Sequence, residues 1–142
     1  MKSLLTFFLI IVGLQPAYAS KIDSTLLGKW ADSKKSCRGI KTDDSFRILS
    51  IKNSNINQIK DERYAGYSLI NLNKFYLTPS NELYASGVKY TFHDEDEIEG
   101  NLYRERVKVH YILIDSELYS INSYISEDGK EETYTLNYIK CN

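Results

Sequence analysis

Between Val107 and Leu113 apolar side chains fall on every second residue. Val107, Val109, Tyr111 and Leu113 point one way, while Arg106, Lys108 and His110 point the other. That alternation predicts a strand with one buried and one solvated face, the pattern of antiparallel sheets. Weaker versions recur along the chain. Leu26 to Ala31 predicts a first short strand, Phe46 to Ile51 a second, and Ile56 with Ile59 a third. Tyr64 to Asn71 predicts a fourth, with Gly66 as the site of a bulge. Phe75-Tyr76-Leu77 then leads into a turn at Pro79-Ser80-Asn81. Leu83 to Phe92 alternates again and puts Tyr84, Ser86, Val88, Tyr90 and Phe92 on one face. Cys37 to Asp44 reads as irregular, with room for a helical turn.

The last hairpin carries its own register. Asp128-Gly129 suits a two-residue type I′ loop, in which both positions need positive φ. Pairing outward from it sets Ile121 opposite Leu136, Tyr119 opposite Tyr138 and Ser123 opposite Tyr134. Ser120, Asn122, Thr133, Thr135 and Asn137 then fall on the other, solvated face. The inward set becomes Trp30, Val107, Val109, Tyr111, Leu113, Tyr119, Ile121, Leu136 and Tyr138. Eight or nine short strands with no long helical period predict an all-β fold. Sequential hairpins suit an antiparallel up-and-down β-barrel of about eight strands, which leaves no open edge. A β-sandwich is the runner-up.

Composition supports that choice. The chain has 142 residues and 12 Tyr, yet after residue 19 its only Ala are Ala31, Ala65 and Ala85. Tyr and Ile favour a pleated, half-buried surface, whereas scarce Ala removes the best helix former. Lys2, the apolar stretch from Leu4 to Leu14 and Ala17-Tyr18-Ala19 predict an export leader over residues 1–19, with residues 20–142 as a single domain. That stretch is shorter than the ~20 residues of a membrane helix, so stable membrane insertion is not expected. The net charge is −1, which argues against a basic nucleic-acid protein.

Cys37 and Cys141 are the only cysteines. In an exported chain a lone pair reads as one disulfide. Metal ligation or redox chemistry would need a C-x-x-C or a neighbouring His, and neither is present. Periplasmic or secreted localisation follows from the same reasoning.

Gly28-Lys29-Trp30, behind Leu26-Leu27, resembles the G-x-W signature of the lipocalin and fatty-acid-binding (calycin) barrels. The resemblance implies a small barrel whose tryptophan, Trp30, plugs one end, with Gly28 letting the backbone pass closely. Where that family stacks an arginine of the last strand on the tryptophan, this strand offers Lys140. Ser86-Gly87-Val88-Lys89-Tyr90 is similar to a motif of periplasmic inhibitors of c-type lysozyme. That resemblance implies a partner-binding loop containing Ser86, Lys89 and Tyr90.

Catalytic signatures are missing from the sequence, and no enzyme activity is expected: there is no G-x-S-x-G, H-E-x-x-H or phosphate-cradling loop. His110 reads as an ordinary surface residue. Asp94, Glu95, Asp96 and Glu97 lack the spacing of a calcium loop, so neither a metal nor another cofactor is expected. The run reads as a solvated turn or as an acidic contact face for a partner. The expectation is a monomeric, non-catalytic binding protein acting on an envelope protein, in an inhibitor-like or immunity-like role. The alternative is a carrier of a small apolar ligand inside the barrel. A filled interior suits the first, and an apolar cavity of ~300 Å³ or more suits the second.

Overall fold

The computed structural model describes residues 21–41, 45–62, 66–92, 102–126 and 128–142. The leader segment 1–19 and Asp94 to Glu97 lie outside them. Eight strands follow one another in a closed antiparallel barrel: β1 (Gly28–Ala31), β2 (Ser45–Ile51), β3 (Ile56–Glu62), β4 (Gly66–Leu77), β5 (Leu83–Phe92), β6 (Leu102–Ile114), β7 (Glu117–Ile125) and β8 (Glu131–Lys140). β1 pairs with β8 to close the ring. This is the up-and-down barrel that the strand pattern predicts, and the sandwich is set aside. A helical turn does form, but ahead of the expected stretch, as α1 (Lys34–Cys37) in what reads as a charged loop; Ser33 Oγ accepts from the Ser36 amide as its cap.

One end of the barrel collects the start of β1, the β2–β3, β4–β5 and β6–β7 turns, and the C-terminus. There Trp30 is buried and its indole N–H donates to the Leu26 carbonyl at 2.9 Å. Ile22 and Leu26 join the core from the preceding turn. Lys140 Nζ lies 5.3 Å from the centre of the Trp30 ring and donates to the Thr25 carbonyl at 2.9 Å. Gly28, with φ of 124°, takes a conformation that L side chains rarely adopt. Cys37 and Cys141 form a disulfide with Cα atoms 5.4 Å apart, tying α1 to the residue after β8.

Several sequence expectations are corrected. The bulge lies between Leu72 and Lys74 of β4, not at Gly66, and Phe75 to Leu77 continue that strand. Gly87 faces this bulge across the β4–β5 ladder; a Cβ there would sit 2.0 Å from the Asn71 carbonyl oxygen. The approach of two backbones, rather than a loop, is what this glycine serves.

A further correction is the last hairpin. Ser126 N–H donates to Lys130 O, so three residues, not two, connect the strands. Gly129 takes a positive φ of 79°, the geometry of a three-residue loop closed by a glycine bulge. The two-residue turn with positive φ at both positions occurs instead at Asp115 (48°) and Ser116 (69°), between β6 and β7. One extra loop residue shifts the register by one. Ser120 pairs with Leu136, Asn122 with Tyr134 and Leu118 with Tyr138. Tyr119 and Ile121 therefore turn to the outer face, while Ser120 and Asn122 are buried in the lumen. Leu113, also expected inside, lies exposed near the end of β6.

Candidate functional site

The β4 bulge builds a surface. Up to Leu72 the even residues of β4 face inward, as buried Ser68, Ile70 and Leu72 show. Beyond the bulge the parity changes: Phe75 and Leu77 pack on the core, and Lys74 and Tyr76 come to the outer face. Two rows of outward side chains then run across four strands. Register aligns Tyr76, Tyr84, His110 and Ile121 in one row and Lys74, Ser86, Lys108 and Ser123 in the next. Together they line a concavity of about 650 Å³ on the outside of the barrel, with Phe75, Ala85 and Val109 between the rows.

The first row is a stack. Tyr76 and Tyr84 lie 5.3 Å apart with planes 8° from parallel, and Tyr84 and His110 lie 3.9 Å apart at 10°. His110 Nε2 is 3.0 Å from Glu82 Oε2, a contact that fixes the ring's orientation. His110 is thus held in the groove wall rather than being an isolated surface residue. Tyr76 is 60% exposed at the end of the stack. In the second row Lys74 and Lys108 are both exposed. Neither makes an ion pair with a described residue. The groove therefore offers a flat aromatic wall beside two cations.

The sequence motif from Ser86 to Tyr90 lies within β5, so it is not a loop. Alternation divides it. Ser86 sits in the groove, and Tyr90 is half-buried on the same outer face opposite Arg104. Lys89 turns into the lumen, where Nζ meets Glu105 at 3.1 Å and lies 5.6 Å from the Tyr124 ring centre. The structure thus separates Lys89 from the other two. No local pattern groups Tyr76, Tyr84 and His110, because their alignment depends on the β4 bulge. The outward alternation of β5 and β6 was the only signal.

Compared with protein-family profiles, curated proteins and solved structures, the chain finds no match. Its function is read from its own geometry.

Proposed function

We propose that this chain is an exported, non-catalytic, monomeric binding protein that takes a partner protein of the cell envelope on the outer face of β4–β7. An inhibiting or neutralising role fits best. The observation that carries the reading is the two-row groove. Exposed tyrosine supplies apolar area with a polar tip, the chemistry enriched at binding hot spots. Lys74 and Lys108 select a partner segment that sets an apolar or aromatic side chain on the stack and a carboxylate on the neighbouring row. The disulfide supports an oxidising compartment.

A carrier of an apolar ligand finds less support. The lumen is apolar mainly where Trp30, Tyr111, Tyr138 and several Leu and Ile fill it. Beyond them it presents Gln58, Ser68, Thr91, Asn122 and the Lys89–Glu105 pair.

The test is site-specific photo-crosslinking in cells exporting the protein. A crosslinker at Tyr76 should capture one defined partner, and one at the exposed outer position Thr135 of β8 should not. Tyr84→Ala combined with Lys108→Glu should weaken capture about 30-fold or more, given about 2 kcal/mol for a hot-spot residue. Thermal stability should change little. Equal capture at both positions, or capture that survives the double variant, would reject the groove as the binding face.

A further inference from the structure

The lumen holds an unusual set of side chains. Gln58 is fully buried, yet neither its Oε1 nor its Nε2 has a hydrogen-bond partner. The buried Tyr111 and Tyr138 hydroxyls and Asn122 Oδ1 are likewise without one, as is Asp32 Oδ1. Ser120 approaches the Tyr138 hydroxyl without closing a full hydrogen bond, and the field of Arg47 and Asp32 reaches it. Asn122 Nδ2 is engaged by Ser120 Oγ at 2.9 Å, which turns its free oxygen away from that contact.

These groups converge from opposite walls. β3 and β7 are four strands apart in an eight-stranded ring, and Gln58 and Asn122 face inward from them. The polar side chains of β3 reach across to the far wall. Lys60, the next inward residue after Gln58, sets Nζ 5.0 Å from the centre of the Tyr134 ring, and Tyr134 is the register partner of Asn122. Between these walls the small inward residues Ala85 and Gly87 of β5 stand among the larger Ile70, Leu72 and Val107.

A buried polar atom without a partner costs about 1–3 kcal/mol. The same inward positions near Trp30 carry Leu and Ile, so stability alone does not account for Gln58 and Asn122. The geometry points to a binding site for a small uncharged polar molecule, amide-like or polyol-like, held in the lumen between Gln58 and Asn122 and hydrogen-bonded by the hydroxyls of Tyr111 and Tyr138. Gln58 Nε2 and the two hydroxyls donate, while Gln58 Oε1 and Asn122 Oδ1 accept. A neutral occupant is required because Asp32 and Arg47, 3.5 Å apart, already compensate each other. The site is distinct from the outer groove and does not depend on it.

The test uses the full exported protein. A high-resolution crystal structure of material purified without added small molecules is paired with one soaked in acetamide and in glycerol. Density for a discrete organic molecule bridging Gln58 and Asn122 in either crystal is expected. Its binding, followed by the Gln58 and Asn122 side-chain amide resonances, should saturate with acetamide or glycerol and not with toluene. Gln58→Leu should weaken that binding at least tenfold while the barrel melts no lower than the parent. Ordered water alone in both crystals, with no saturable shift, overturns the proposal. So does a lumen repacked so that these side chains bond to each other, or equal binding by Gln58→Leu.

Discussion

The two halves of the lumen are built by the same strands from opposite kinds of residue. β3 contributes Ile56 to the closed half, then Gln58 and Lys60 to the other. β7 contributes Leu118, then Ser120 and Asn122; β5 contributes Leu83 and Ala85, then Lys89 and Thr91. In the closed half, large apolar side chains meet around Trp30, and the disulfide holds the chain ends beside it. In the other half, ion pairs, amides and hydroxyls face each other. The difference teaches how stability is distributed along each strand. The half packed with hydrocarbon holds the barrel closed, and the other half buries amides, hydroxyls and an ion pair that are costlier to keep from water.

The comparison breaks first at Trp30. Truncating Trp30 to Ala removes a buried ring, its hydrogen bond to Leu26 and the surface under Lys140. It should cost about 3–5 kcal/mol in denaturant unfolding. Gln58→Leu should cost nothing or stabilise, because it removes two partnerless polar atoms. Similar losses from both substitutions would mean that the two halves are not energetically distinct.

That division was only half legible in the sequence. Strand periods are local, so the alternation through β5 and β6 gave the right faces, and the two cysteines gave the right bridge. The polar half was hidden by one residue of loop length. Asp128-Gly129 satisfies a two-residue turn and equally a three-residue loop whose glycine closes the bulge. Polar side chains sort outward under the first choice, so local pattern alone favours the two-residue turn. The choice is made by the β6–β7 hairpin, which sets Tyr111 opposite Ser120 and Val109 opposite Asn122 and so fixes them inward; its Asp115-Ser116 turn contains no glycine to mark it in the sequence. The groove was hidden in the same way: the Leu72/Lys74 bulge that exposes Tyr76 has no glycine of its own. Its companion is Gly87 on the next strand, which a local reading assigns to a motif.

Alkaline pH gives a smaller but sharper test. Burial pushes both the Tyr111 and Tyr138 hydroxyls up; at Tyr138 nearby Arg47 and Ser120 partly oppose it. In the unfolded chain both ionise near pH 10. Above that pH the unfolded state binds fewer protons than the folded one, so stability falls as pH rises; below it these two groups leave stability unchanged. Tyrosinate absorbance after a pH jump should show a fast exposed class and a slow class that appears only as the barrel unfolds. Tyr111→Phe should raise the alkaline midpoint. If every tyrosine ionises near pH 10 in a still-folded barrel, the lumen around these hydroxyls is wet.

The smallest effect probes the polar half directly. Lys89 and Glu105 face the lumen from adjacent strands, but their side chains remain 19% and 31% exposed. Solvent screens such a pair, and Glu105→Gln should cost about 1 kcal/mol or less. The Tyr124 ring stays in place to receive the ammonium. Breaking a dry, buried pair by removing one partner costs about 3–5 kcal/mol, because the remaining charge is stranded. The measured loss therefore reports how hydrated the polar half is at this level. A loss near the buried-pair value would show Lys89 in surroundings as dry as those of Trp30, and the two halves would differ in composition without differing in access to solvent.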